Sequence, residues 1–244
     1  MYRYKIIFSY DGTLFFGYSK QTSLRTVQEV VEKSLSTILN EDIKIYASGR
    51  TDKGVHALNQ VADFTISKKI ENKEKFLYQF NKILPDDIYC KNIVKTKLDF
   101  SSRFNAKKKI YVYRINLKEY NPLMRNYEYF DNNITDLEMM KEVSKLFIGT
   151  HDFKNFTSKK EDDNNFIRTI YSIDFKLNKG ILNIEFTGDG FMRYEVRKIV
   201  GTLLEVGKKH IDIRKVKDIL YSNNRSIINY TASASGLYLK KVVY

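Results

Sequence analysis

The sequence predicts an α+β fold, and three observations lead to that class. Stretches in which apolar and polar residues alternate, typical of half-buried strands, recur throughout the 244 residues. Segments with apolar residues at helical spacing lie between them, and the two kinds of element follow no strict strand-helix-strand order. Only two prolines and no Gly/Ser-rich linker interrupt the chain. We therefore expect two halves joined through one sheet.

The first half reads as an alternation of strands and helices. The pattern predicts strands over 2–10, 43–47, 56–66 and 88–96, and helices over 26–40 and 72–83. Thr26 and Glu29 have the spacing of a capping box, which predicts the start of the first helix. In the strand over 56–66, the candidates for burial include Ala57, Val61 and Phe64.

The second half repeats this order loosely. Strands are predicted over 108–117 and 236–244, a hairpin over 169–188 around Asn-Lys-Gly, and helices over 135–149, 193–209 and 214–222. Gly149 is expected to end the helix over 135–149. The boundary is expected near 100–107, which gives halves of 1–104 and 105–244.

The composition favours a polyanionic partner and excludes several other classes. The net charge of +13 attracts phosphates, and 18 Tyr and 16 Phe could stack on bases, although a general bias towards lysine would also make the chain basic. The longest apolar runs are much shorter than the roughly 20 residues that cross a bilayer, and a single cysteine suits a reducing compartment. The short apolar runs and the single cysteine therefore predict a protein of the cell interior. The three histidines lie far apart, so we expect no bound metal.

The segment over 48–54, Ser-Gly-Arg-Thr-Asp-Lys-Gly, is the first candidate for chemistry. Gly49 and Gly54 permit tight turns on either side of Asp52, which would then project from the end of a strand. Asp-Lys-Gly is also a common turn in which the carboxylate bonds only its own backbone. Arg50 could bind a phosphate, pair with the acid or insert into a nucleic-acid helix. Arg197, in the helix over 193–209, could face the core and would then need a carboxylate partner, unless it belongs to an exposed basic face.

Together with these residues, several blocks in the same order resemble one family. The segment GRTDKGVHALNQVADF is similar to the signature of the tRNA pseudouridine synthase A family. The other matching blocks are YDGTLFFGY, LPDDI, RFNAKKKIYVYRI, DFKNF, GFMRYEVRKIVGTLLEVG and TASASGLYL. The resemblance covers essentially the whole chain. It implies two ferredoxin-like (RRM-like) halves sharing a central mixed, mostly antiparallel sheet, with helices on one face and a basic cleft between the halves.

The resemblance also implies a role for five side chains. Asp52 corresponds to the nucleophile, Arg50 to the residue that displaces the target nucleotide, and Tyr111 to the tyrosine that packs on the target base. Arg197 corresponds to the cation that pairs with the aspartate and would lower its pKa, and Leu237 to an apolar residue of the pocket. The reaction implied is the isomerisation of uridine to pseudouridine at positions 38, 39 and 40 of the tRNA anticodon stem-loop. It needs no redox cofactor, and members of the family are cytoplasmic homodimers.

Four positions depart from the family pattern. Tyr18 replaces a tryptophan, Lys53 an alanine, Asn59 a glycine and Glu195 an apolar residue. These changes leave open a divergent enzyme that modifies another tRNA site or ribosomal RNA. A non-catalytic RNA-binding protein is a second alternative. A glycosidase or nucleosidase is a third, and it would need Asp63 as a second acid.

Overall fold

The structure is a computed structural model that describes residues 1–158, 165–222 and 230–244. Its strands are β1 (Tyr2–Tyr10), β2 (Tyr46–Ala47), β3 (His56–Ile66), β4 (Ile88–Thr96), β5 (Lys108–Asn116), β6 (Tyr129–Phe130), β7 (Gly149–Asp152), β8 (Ile167–Asn178), β9 (Ile181–Gly188) and β10 (Leu237–Val243). Its helices are α1 (Val27–Leu39), α2 (Lys73–Ile83), α3 (Leu137–Ser144), α4 (Glu195–Gly207) and α5 (Ile213–Tyr221).

The chain forms two compact units. The first contains residues 1–107 together with 238–244, and the second contains residues 108–237. The change from one unit to the other lies close to the boundary expected from the sequence. The last strand, however, returns to the first unit.

The first unit is built on a mixed, mostly antiparallel sheet. Strand β1 lies between β4 and β3 and is antiparallel to both. Strand β2 is antiparallel to β3, whereas β10 is parallel to it and places Tyr238 opposite His56. Alternate residues of β1 are buried, as the sequence predicts, and α2 packs on β4 and α1 with Phe76 and Phe80 in the core. Ala57, Val61 and Phe64 of β3 are buried as expected.

The second unit also combines a sheet with helices, here α3, α4 and α5. Strands β7, β8, β9 and β5 form an antiparallel series in that order, and β6 is parallel to β5. The hairpin between β8 and β9 turns at Lys179 and Gly180, whose φ angles are 50° and 82°. Both residues are in the left-handed region, as a tight hairpin turn requires, and the prediction around Asn-Lys-Gly is confirmed. The predicted α+β class, with mixed and mostly antiparallel sheets, is confirmed as well.

The capping box predicted for α1 is wrong. Thr26 is the residue before the helix, but its side chain makes no capping hydrogen bond and is fully buried. The first amide groups of the helix bond instead to backbone carbonyls of the preceding loop. Val27 N donates to Gly17 O at 3.2 Å, and Gln28 N donates to Tyr18 O at 2.9 Å. These contacts replace a side-chain cap and attach the loop to the helix.

Two predicted elements are shorter than expected. The strand expected over 43–47 contains only Tyr46 and Ala47. The helix expected over 135–149 ends as α3 at Ser144 and continues as one 3₁₀ turn to Phe147. Gly149, expected to end that helix, instead begins β7 and pairs with Ile170 of β8, because strand pairing takes its backbone groups.

Among the described residues, no helix is both long enough and apolar enough to span a membrane.

Candidate active site

Asp52 lies on the loop that joins β2 to β3. The loop turns just after this residue, where Val55 N donates to Asp52 O at 3.2 Å and Gly54 has a φ of 78°. Such a φ favours glycine, because a Cβ would be strained there. Asp52 is half-buried, Thr51 before it is buried and Lys53 after it is exposed. The predicted turn at Asp52 is therefore present, whereas the projection of the carboxylate from it stays a prediction.

A second loop, residues 11–18, supports the Asp52 loop from behind. Tyr18 N donates to Thr51 O at 3.0 Å, and Gly54 N donates to Phe15 O at 3.4 Å. The two backbones approach so closely that side chains are excluded at two glycines. A Cβ on Gly12 would lie 2.1 Å from Val55 O, and a Cβ on Gly17 would lie 3.1 Å from Thr51 O. The position of the Asp52 backbone is thus fixed by direct contact with another segment.

Tyr10 and Gln60 support the same loop from the sheet. The Tyr10 hydroxyl is 2.8 Å from Thr51 Oγ1, and burial raises the pKa of Tyr10 to about 12, so the phenol stays neutral. Gln60 is fully buried: its Oε1 accepts from Ser48 Oγ at 2.9 Å, and its Nε2 donates to Gly49 O at 3.0 Å. Sequence reasoning did not single out either residue, because both read as ordinary positions of alternating strands. The available signal for Gln60 was a polar side chain within β3, a strand in which most residues are buried.

His56 anchors the end of the loop at the first residue of β3. The imidazole is 2% exposed, and its ring stacks on Tyr238 of β10 with 4.7 Å between ring centres. Its Nδ1 lies 3.1 Å from both Gly12 N and Asp11 Oδ1. The residue therefore ties β3 to the second loop and to the last strand of the first unit.

Arg50 is exposed on the Asp52 loop, two positions before the carboxylate. The structure thus places the two candidate residues of the first unit on one short loop. A guanidinium in this position is accessible to a large polyanion, whereas the buried Thr51 between them belongs to the support of the loop.

The other three candidates belong to the second unit. Tyr111 is buried on β5, opposite Phe186 of β9. Its ring and that of Phe191 form a T-shaped pair with 5.3 Å between ring centres. Leu237 is also buried. Arg197 is half-buried on α4, where its Nε donates to Ala232 O at 2.8 Å. The pairing of Asp52 with Arg197 stays a prediction.

Arg197 is oriented by the unusual start of α4. Tyr194, the residue before the helix, has a φ of 64°, which is strained for a residue with a side chain. In this conformation, the centre of the Tyr194 ring lies 4.8 Å from the guanidinium carbon of Arg197. Ala232 N in turn donates to Arg197 O at 3.0 Å, so both the backbone and the side chain of Arg197 contact the segment that leads into β10.

Glu195, one of the four residues noted as departures in the sequence, is a buried acid on α4. Its side chain is fully buried, and its Oε2 accepts from Met192 N at 2.7 Å. Burial raises the pKa of Glu195 to about 8, and the bond from Met192 opposes this shift only in part. Among the described residues, Oε1 has no hydrogen-bond partner. A protonated carboxyl group is the form that this environment favours near neutral pH.

Asp63, the second acid that a glycosidase or nucleosidase would need, is already committed to structure. It is fully buried, accepts from Arg3 Nε at 3.0 Å and from Ser102 N at 2.6 Å, and also pairs with Arg3 Nη2. A carboxylate bound in this way holds a loop rather than a substrate. Across the described ranges, no three His, Cys, Asp or Glu side chains are grouped so that they could hold a metal ion.

Comparison with known proteins identifies the class. A family model described as tRNA pseudouridine synthase matches residues 6–105 and 143–244. The chain therefore belongs to the tRNA pseudouridine synthase family, a class of isomerases, and the resemblance seen in the sequence is confirmed.

Individual relatives extend this match over the whole chain. A protein named tRNA pseudouridine synthase A from Streptococcus agalactiae is 38% identical over 248 residues, covering 100% of this chain and 96% of the relative. One named tRNA pseudouridine synthase A 2 from Bacillus cereus is 38% identical, with 100% of both chains covered. A tRNA pseudouridine synthase A from Thermoanaerobacter is 40% identical over 240 residues, with 98% of each chain covered. The expectation of an enzyme of this class is confirmed.

Proposed function

We propose that this protein isomerises uridine to pseudouridine at positions 38, 39 and 40 of the anticodon stem-loop of tRNA. The observation that carries the proposal is the geometry of the Asp52 loop in a chain that matches the family over its full length. The loop presents a half-buried carboxylate, and it is fixed by Gly17, Tyr10 and Gln60. Such rigidity is what a positioned catalytic group requires.

In the proposed reaction, Asp52 acts at the sugar of the target nucleotide. The bond from N1 of uracil to C1′ breaks, the base rotates, and a bond from C5 to C1′ forms, while C5 loses its proton to solvent and N1 takes one up. The carboxylate either adds to C1′ or removes a proton from the sugar, and both routes require its ionised form. Atoms and charge balance within the substrate, so the reaction consumes no reductant, oxidant or energy source.

The other site residues have roles before and around this step. Arg50, exposed on the loop, displaces the target nucleotide from its stack, because chemistry on a base requires the base to leave the helix. Tyr111 packs on the extruded base, Leu237 lines the pocket, and Arg197 keeps Asp52 ionised by pairing with it. We further propose a homodimer in the cytoplasm that contacts one tRNA with both subunits.

Release of tritium from C5-labelled uridine in tRNA tests the activity. The wild-type protein is expected to release it, whereas Asp52→Asn, which keeps the shape of the side chain but not its charge, is expected to release none. Mapping of pseudouridine in tRNA and ribosomal RNA from a deletion strain then tests the target. Loss confined to positions 38, 39 and 40 supports the proposal. Loss at other sites would indicate the divergent enzyme, and no loss together with normal growth of an Asp52→Asn strain would indicate a non-catalytic RNA-binding protein.

The proposed homodimer is tested separately by sedimentation. A single species at twice the mass of the chain, present at the concentrations used in the tritium assay, is expected. A monomer that is fully active would contradict this part of the proposal and leave the reaction unaffected.

A further inference from the structure

Lys53, the residue after Asp52, is held over an exposed aromatic ring. Its Nζ lies 3.9 Å from the centre of the Phe16 ring, and Phe16 is 41% exposed. Two hydrogen bonds hold the backbone of Phe16: its N donates to Arg25 O at 2.9 Å, and its O accepts from Gln21 Nε2 at 2.8 Å. An ammonium group on a flexible side chain is therefore given one preferred place beside the candidate nucleophile.

A neighbouring pair shows what is unusual about this arrangement. The Arg25 guanidinium carbon lies 4.1 Å from the centre of the Phe15 ring, but its charge is neutralised by Asp87, with 2.6 Å between Nη1 and Oδ2. Within the part of the chain that the structure describes, no carboxylate forms an ion pair with Lys53. The ring covers one side of the Lys53 ammonium group. The N–H groups on its other side remain available to donate hydrogen bonds to a ligand.

We propose that Lys53, positioned by Phe16, binds a backbone phosphate that flanks the nucleotide at Asp52. This inference rests on the proposed function. Consecutive Cα atoms are about 3.8 Å apart, so the Lys53 backbone lies beside the residue proposed to act at the sugar, and the phosphates that flank this sugar are the nearest anionic groups of the substrate. An exposed cation at that position matches the charge of the substrate.

The contact lies at Lys53, directly after the proposed nucleophile Asp52. It therefore adds binding energy at the place where the nucleotide must be held after it leaves its stack. Lys53 is a binding residue in this inference, and Phe16 is a positioning residue that acts through it.

The salt dependence of tRNA binding tests the inference without interference from turnover. Dissociation constants are measured in the Asp52→Asn background with unmodified tRNA at several salt concentrations. Replacing Lys53 by Gln is expected to weaken binding by about fivefold near 0.1 M salt. The slope of log affinity against log salt is expected to fall by about 0.7 to 0.9, as for the loss of one phosphate contact. Lys53→Arg should retain the slope, and Phe16→Ala should give an intermediate affinity.

Lys82 offers a matched control. Its Nζ lies 4.5 Å from the ring centre of exposed Tyr78 on α2, so Lys82→Gln removes an equivalent charge over an equivalent ring. This variant should lose little affinity. Equal slopes for Lys53→Gln and Lys82→Gln would overturn the inference.

Steady-state kinetics separate this inference from the proposed function. With Asp52 present, Lys53→Gln should raise the KM for tRNA about fivefold and change kcat by less than about twofold. A fall in kcat with an unchanged KM would contradict the phosphate contact. If the wild-type protein converts no uridine, the proposed function fails, and a reduced salt slope in Lys53→Gln would still reveal a phosphate contact at this loop.

Discussion

The Tyr10 hydroxyl and Thr51 Oγ1 lie 2.8 Å apart in the core of the first unit, directly behind Asp52. Through this bond, Thr51, the residue before Asp52, is joined to the first strand of the chain. We expect Tyr10→Phe to lower the free energy of unfolding by about 1 kcal/mol, because the Thr51 hydroxyl loses a partner in a buried place. Chemical denaturation measures this change. In a double-mutant cycle with Thr51→Val, the two single effects should not add, and additivity would show that the bond contributes nothing.

Gly17 should be required for both folding and activity. Its φ is 98°, and a Cβ would lie 3.1 Å from Thr51 O. Gly17→Ala is therefore expected to lower the free energy of unfolding by about 1 to 3 kcal/mol and to reduce kcat/KM, because the Asp52 loop must move. Gly190 provides the control, since a Cβ there meets nothing within 4 Å. Denaturation curves and tritium release that are the same for Gly17→Ala and Gly190→Ala would refute the close approach of the two loops.

Gln60 should matter for activity beyond its effect on stability. Gln60→Leu leaves Ser48 Oγ and Gly49 O without the partners that now fix the start of the loop, at an expected cost of about 2 kcal/mol. We expect kcat/KM measured on the folded protein to fall by at least about tenfold, as a displaced catalytic group would cause.

Asn155 in the second unit is the comparison for Gln60. Its Nδ2 donates to Ile219 O and Ser222 O, both at 2.7 Å, so Asn155→Leu also removes a buried amide that bonds backbone carbonyls. It should destabilise the protein to a similar extent but leave turnover by the folded fraction close to that of the wild type. Equal losses of turnover in both variants would show that the effect of Gln60 is only one of stability.

Glu195 should make the protein less stable as pH rises. Its pKa is about 8 in the folded state against an ordinary value of 4.5. Between pH 4.5 and pH 8, the folded protein therefore keeps the Glu195 proton, whereas the unfolded chain has lost it. The free energy of unfolding should therefore decrease from pH 4.5 to pH 8, with a total contribution on the order of 5 kcal/mol from this group.

Glu195→Gln should remove this dependence, because an amide is neutral at every pH and its oxygen can still accept from Met192 N. Urea denaturation at a series of pH values measures the difference between the variant and the wild type. Glu138→Gln on the surface of α3, where the carboxylate is 83% exposed, should leave the pH profile unchanged. A wild-type profile parallel to that of Glu195→Gln would mean that the buried carboxyl group ionises normally.

The sequence predicts the periodic elements well, because their signal is local. Helix α1 and strand β3 lie where the spacing of apolar residues places them, and the turn of Asp52 follows from the glycine at 54. Thr26 was misread as a cap because local spacing does not reveal that carbonyls of Gly17 and Tyr18 satisfy the first amides of the helix.

The supports of the candidate site are harder to predict, because they join residues far apart in the chain. Tyr10 contacts Thr51, and His56 contacts Tyr238, although neither pair shares any local pattern. The five proposed site residues come from the family resemblance, whereas the contacts of Tyr10, Gln60 and His56 with the Asp52 loop and its surroundings depend on the fold. The departure at Glu195 was noticed in the sequence, but its complete burial was not.

The parallel pairing of β10 with β3 has a consequence for biosynthesis. His56 is made early, but the ring on which it stacks belongs to Tyr238, which leaves the ribosome only after the whole second unit has been translated. A nascent chain therefore cannot assemble the complete backing of its reactive loop during elongation. The first unit is therefore completed only after the second unit has been translated, and a fragment released before that point lacks the last strand of the first unit.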